Sequence, residues 1–143
     1  MGNLMMLSCA IAAGALALTA PSRAADPVRP QPTEAATTPL TGDQSREVKI
    51  LNVILPPDAD SGRHYHHGDQ YTTVQEGEIQ IDIDGKGPHV YKAGDAVHIE
   101  PMVWHRTQNV SGKQARTTEF FIVAKGKPLT EREEVGVGSS QQK

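Results

Sequence analysis

Apolar and polar positions alternate in short runs through the middle of the chain, and the period is two. Residues 78–84 (EIQIDID) set Ile79, Ile81 and Ile83 on one side and Gln80, Asp82 and Asp84 on the other. Successive side chains leave a strand on opposite faces, so this pattern predicts a half-buried strand. Residues 48–55 (VKILNVIL) predict another, stopped by Pro56-Pro57, because proline donates no backbone hydrogen bond. Residues 71–75, 89–91, 96–99, 104–108 and 116–124 predict the rest, with turns at Gly85-Lys86-Gly87-Pro88 and Ala93-Gly94-Asp95. A helical period is found at most in the TEREE segment near the C-terminus. Seven or eight short strands with close turns argue for an all-β barrel or two-sheet jelly roll.

The two ends break the pattern. Residues 4–20 (LMMLSCAIAAGALALTA) are apolar and mostly small, and Ser22-Arg23-Ala24 follows Pro21. Small residues at Ser22 and Ala24 predict a signal peptide over residues 1–24, cleaved before Ala25. An uncleaved membrane anchor is the main competing reading. A lipoprotein at Cys9 is the weaker one, because Met6-Leu7-Ser8 fits a lipobox poorly. Cleavage removes Cys9, the one cysteine, which suits an oxidising compartment: the periplasm or the exterior of a bacterium. With the signal gone, no membrane attachment is expected. Residues 25–46 hold Pro27, Pro30, Pro32 and Pro39 among few apolar side chains and predict a flexible lead-in. Part of it could lie on a partner subunit as an extended arm. Residues 126–143 predict a flexible C-terminal tail. The folded barrel is then expected over residues 47–125.

Composition narrows the class. The 143 residues suffice for one ordinary domain, and a 37% hydrophobic content allows it a packed core. A net charge of −3 without any basic run leaves no footprint for nucleic acid. A single cysteine excludes an intramolecular disulfide. The six histidines are the feature left to explain.

His64-Tyr65-His66 places two imidazoles at i and i+2, on one face of an extended strand. Gln70 shares their parity and offers an amide oxygen. His105 lies on a separate predicted strand. Three neutral imidazoles and one side-chain oxygen can hold one divalent metal ion; imidazole suits Fe, Ni, Cu and Zn, and oxygen adds Mn. His67 has the opposite parity and is expected to face outward, as is His89 beside its turn. His98 is expected at the surface or behind the ligands. Tyr71 is a candidate general base if a metal lowers its pKa, although its parity opposes Gln70 and packing is the other reading. Trp104 reads as a lid or a dimer contact. Taken alone, HYHH is equally compatible with an exposed cluster of adventitious affinity.

The wider spacing decides between those readings. Residues 58–77 (DADSGRHYHHGDQYTTVQEG) resemble the first cupin motif through His64, His66 and Gly77, with Asp58 in place of its opening Gly and Gln70 in place of its Glu ligand. Residues 94–109 (GDAVHIEPMVWHRTQN) resemble the second through Gly94, His105 and Asn109, with Glu100 in place of its Pro and Met102 in place of its Gly. The resemblance implies a double-stranded β-helix jelly roll, usually a homodimer, with a metal inside the barrel mouth. It implies His64, His66, Gln70 and His105 as the ligand set, which is similar to the manganese site of bacterial cupin hydroxynitrile lyases; a three-histidine site with Gln70 only hydrogen-bonded nearby is the other reading. It does not imply one reaction. A metal-dependent enzyme acting on a small organic molecule, dioxygenase-like in the manner of the quercetin-dioxygenase-like cupins or a lyase, is the leading expectation. A non-catalytic small-molecule binder or a structural cupin is the alternative. Free imidazoles near pKa 6.5 would release the metal below about pH 6.

Overall fold

Residues 26–133 are described by the structure, a computed structural model; the expected signal peptide lies outside them. Strand β5 (Glu78–Ile83) buries Ile79, Ile81 and Ile83 almost completely and turns Gln80 and Asp82 outward. Ten strands follow this logic: β1 (Gln31–Leu40), β2 (Asp43–Leu55), β3 (His64–Tyr65), β4 (Gly68–Glu76), β5, β6 (Gly87–Lys92), β7 (Ala96–Ile99), β8 (His105–Asn109), β9 (Ala115–Ala124) and β10 (Glu131–Arg132). They form two antiparallel five-stranded sheets in the orders β1-β2-β9-β4-β7 and β10-β3-β8-β5-β6. This is an all-β jelly roll. Leu51, Val53 and Leu55 of β2 and Phe121 and Val123 of β9 belong to the same buried cluster as the three isoleucines.

The described part of the expected lead-in, residues 26–46, is largely strand. Most of it is β1 and the start of β2, paired from Gln31 with Ile54 to Leu40 with Asp43. Its composition misleads for a physical reason. β1 lies at a sheet edge and exposes both faces for most of its length, so backbone hydrogen bonds hold it and little apolar burial is needed. An edge also tolerates Pro32 and Pro39, which could not donate to a central ladder. The tail is corrected as well. Residues 131–132 form β10 on β3 rather than a helix or a frayed end, and side-chain contacts accompany the pairing: Glu131 Oε1 lies 3.2 Å from His67 Nε2, and Glu133 forms an ion pair with Arg63.

Two of the four motif departures share one backbone property. Asp58 and Met102 stand where glycines were expected, and they are the two non-glycine residues with positive φ, 60° and 63°, among the described residues. The left-handed turn is therefore kept without the residue that adopts it freely. Asn109, in contrast, keeps its motif identity and a structural task. Its Nδ2 donates to the Leu55, Pro56 and Lys113 carbonyls and its Oδ1 accepts from Ser111, which ties the end of β8 to the end of β2.

Met102 is half exposed, so its side chain offers little packing to offset the backbone cost. Met102→Gly should raise stability by about 0.5–1 kcal/mol, the left-handed penalty less glycine's greater unfolded-state entropy. The urea midpoint measures it, and a lower midpoint would refute the strain.

Candidate metal centre

Two sheets bring the histidines together. In one, His64 of β3 pairs directly with His105 of β8, which itself faces Ile83 of β5. His66 follows β3 with the parity of His64. In the other, Gln70 of β4 lies between Phe121 of β9 and Ile99 of β7. All four side chains are buried; His105 is 1% and Gln70 3% exposed. The rings of His64 and His105 are 4.2 Å apart, those of His64 and His66 5.0 Å, and those of His66 and His105 5.2 Å. One nitrogen from each lies within 4.8 Å of the others, so the triad can hold a metal ion.

Backbone carbonyls decide which nitrogens are available. Nδ1–H of His64 donates to Gly62 O at 2.9 Å, that of His66 to Leu129 O at 2.6 Å, and that of His105 to Val103 O at 3.0 Å. A carbonyl can only accept, so each Nδ1 carries the proton and each Nε2 keeps its lone pair. Gln70 Nε2 donates to Thr72 Oγ1 at 3.0 Å, which aims its oxygen the other way. His66 Nε2, His105 Nε2 and Gln70 Oε1 are buried without a hydrogen-bond partner. An unsatisfied buried acceptor is costly, and three converging ones fit a cation. Burial lowers His64 to about 3 and His66 to about 4, and it lowers His105. His64 and His66 are thus already neutral at pH 6, and metal release should lie below the pH 6 expected for free imidazoles.

His64, His66 and Gln70 line a cavity of about 400 Å³. Apolar Leu51, Val53, Leu55, Phe121 and Leu129 line it beside polar Ser61, Thr107 and Glu119, with Arg29 and Arg132 at the mouth. Glu119 sits on β9 opposite Leu51 and Thr72, with one long hydrogen bond of 3.4 Å from Thr117 Oγ1. Burial pushes its carboxyl up to about 7, and the Thr117 bond offsets little. Sequence reasoning missed Glu119, although its parity with Thr117, Phe121 and Val123 marks it as inward-facing. It missed both arginines because they lie in segments read as flexible.

The remaining candidates lie elsewhere. Tyr71, expected as a possible base, is on the outer face of its sheet, 43% exposed and stacked on His98 at 4.5 Å. Strand parity sends it away from Gln70, so the structure does not bring it to the cavity. His98 binds Asp69 at 2.9 Å, whose carboxyl this contact holds below its usual range. His67 contacts Glu131 at 3.2 Å, and His89 is exposed beside Tyr91. Trp104 packs edge-on against Tyr65 at 4.8 Å, under the Arg63 guanidinium.

Residues 51–123 match the cupin domain family. An uncharacterized protein of Methanocaldococcus jannaschii is 27% identical over 79 residues, which span 55% of this chain and 66% of that protein. A cupin-like protein of Thermotoga maritima has a similar structure: TM-score 0.60, 21% identity, 73% of this chain and 75% of that one. A cupin domain of Bordetella pertussis superposes with TM-score 0.54 at 21% identity, over 70% of this chain and 99% of that one. An oxalate decarboxylase of Lactobacillus farciminis does so with TM-score 0.53 at 16% identity, over 59% of this chain and 26% of that one.

The buried groups set a pH dependence for the metal-free protein. Folded His64 and His66 stay neutral down to about pH 4, and burial shifts His105 the same way, whereas the unfolded chain takes up protons near pH 6.5. The unfolded state then binds more protons between about pH 4 and 6.5, and stability falls as pH drops through that window. Glu119 opposes this, because the folded carboxyl holds a proton between 4.5 and about 7 that the unfolded one has lost. His64 and His66 together outweigh it. Urea midpoints should rise from about pH 4.5 to 6.5, and more steeply in Glu119→Gln. A flat profile in both proteins would show that the imidazoles titrate normally.

Proposed function

The chain belongs to the cupin domain family, and from that premise we propose that it is an exported, metal-dependent enzyme acting on a small organic molecule, by dioxygenase-like or lyase chemistry. The observation that carries this reading is the set of buried acceptors without partners on His66, His105 and Gln70, with His64, His66 and Gln70 lining a cavity. His64, His66, His105 and Gln70 would hold one divalent ion (Mn, Fe, Ni, Cu or Zn). When bound, such an ion supplies Lewis acidity at open coordination positions and, if redox-active, a route for electrons.

The chain's own residues supply the rest. Gly62, Leu129 and Val103 hold the imidazoles in one tautomer through their carbonyls. Leu51, Val53, Leu55 and Phe121 exclude water from one wall. Glu119 can take a proton from, or return one to, a bound molecule near neutral pH, because its pKa of about 7 balances the two directions. A group tuned this way in a cavity is more useful to a catalyst than to a passive binder. That the same fold serves an oxalate decarboxylase in L. farciminis supports an enzymatic role over a purely structural one.

Export and a homodimer belong to the same proposal. Ile50, Phe120 and Tyr71 form a row across the outer face of the β1-containing sheet, with Tyr71 and Phe120 well exposed, and a second copy would cover them. Native mass spectrometry of exported protein tests both points. It should give twice the mass of a chain beginning at Ala25; retention of residues 1–24 or a monomer would refute the corresponding half.

Gln70→Glu tests the ligand set. An anionic oxygen at almost the same reach should tighten metal binding about tenfold or more, since roughly 1.4 kcal/mol of added attraction suffices. His66→Ala should weaken it by at least as much. Equal dissociation constants for wild type and Gln70→Glu would leave a three-histidine site. Elemental analysis of natively expressed protein, followed by O2 uptake with enols and diketones, tests the activity. Saturable binding without turnover of any of them would favour a binding protein instead.

A further inference from the structure

Arg29 and Arg132 reach the cavity mouth from opposite ends of the described chain. Arg29 precedes β1, and Arg132 ends β10. Arg29 Nη1 donates to Asp60 O at 3.3 Å, and Arg132 Nη1 donates to Ser61 O. A methyl group built on Gly62 would lie 2.9 Å from Arg29 Nη1 and 3.9 Å from Arg132 Nη1. The two guanidiniums therefore converge on one place, each pinned by a neighbouring carbonyl of the same turn.

Neither has a carboxylate within 4.0 Å among the described residues. The nearby acids are engaged elsewhere: Asp60 with Arg106, Glu131 with His67, and Glu133 with Arg63. Strand alternation explains the split on β10. Glu131 and Glu133 point to one side, and Arg132 points to the cavity. Glu119 is the one acid lining that cavity. The imidazoles and Gln70 bring no negative charge, so a divalent ion would leave the cavity strongly cationic. Arg132 already acts on His64 and His66 through its charge, which helps to lower both.

We propose that Arg29 and Arg132 form a carboxylate subsite, and that the ligand is a small organic acid with a second oxygen donor. Its carboxylate sits across the two guanidiniums, which offer forked N–H pairs matched to a planar anion. Its 2-oxo or 2-hydroxy oxygen then points toward His64, His66 and His105. The second half rests on the metal reading above; the arginine half does not.

Calorimetric titration of the full chain tests this, with pyruvate, glycolate and oxalate as probes and methyl pyruvate as the neutral control. Metal content is measured alongside. Metal-loaded wild type should bind pyruvate at least tenfold more tightly than methyl pyruvate. Arg29→Gln/Arg132→Gln should lose tenfold or more for pyruvate, while its metal dissociation constant is unchanged or lower, because two repelling charges are gone. Glutamine keeps a donor for the Asp60 and Ser61 carbonyls, and thermal melting checks that the variant is folded. If the double variant does not fold, the single variants and Arg132→Lys decide, the lysine falling between wild type and glutamine.

Wild type that holds no metal, yet binds pyruvate in an arginine-dependent way, would sink the metal reading and keep the subsite. Three outcomes would overturn the subsite: no saturable binding of any acid probe, equal binding of pyruvate and its ester, or folded glutamine variants that bind pyruvate like wild type. Inorganic phosphate binding more tightly than every carboxylate would overturn the choice of ligand class.

Discussion

Three hydrogen bonds from imidazole Nδ1–H to main-chain carbonyls organise this molecule's chemistry. They fix the tautomer and orientation of His64, His66 and His105 before any ligand arrives. Without them each ring could rotate or move its proton, and the interior lone pairs would not converge. The carbonyls belong to irregular backbone, at Gly62, Val103 and Leu129, so turns outside the sheets set the geometry that the strands only approximate. The left-handed Met102 belongs to this framework too: its N–H donates to the carbonyl of His66 at 2.9 Å. A strained turn is retained there because the backbone beside a donor depends on it.

Electrostatics gives the cavity a consistent sign. A neutral donor set accepts a cation without an internal counter-charge, and the mouth adds two guanidiniums. Glu119 is the counterweight, and its elevated pKa means that it is often protonated near neutrality. An ion held here would draw that pKa down, because a nearby positive charge favours the carboxylate. Occupancy of the ligand site and the protonation of Glu119 are thus coupled, and each sets the working state of the other.

Much of the barrel was legible because its residues alternate. Ile79, Ile81 and Ile83 declare a strand, and His64, His66 and Gln70 share a parity that places all three inside. The same rule placed Tyr71 and His67 outside, and the fold agrees. What escaped is held by forces with little sequence periodicity. β1 relies on main-chain hydrogen bonds along an exposed edge, so its prolines and threonines look like a linker. β10 relies on two residues of pairing, the Glu131–His67 contact and the adjoining Glu133–Arg63 ion pair. Arg29 and Arg132 were therefore hidden by their context rather than by their chemistry. Glu119 was hidden differently: the inward parity of β9 was visible, but an acid on that face breaks the usual apolar pattern.

The bond between His66 and Leu129 also has a consequence in time. It spans 63 residues and reaches close to the last described strand. A chain is made from its N-terminus, so His64 and His66 emerge long before the carbonyl that fixes one of them. His66 therefore stays without its fixing bond until Leu129 has left the ribosome. Any ion the site takes would then meet a completed His66–Leu129 contact only after this last sheet strand is in reach, and the metals on offer would be those of wherever the barrel closes.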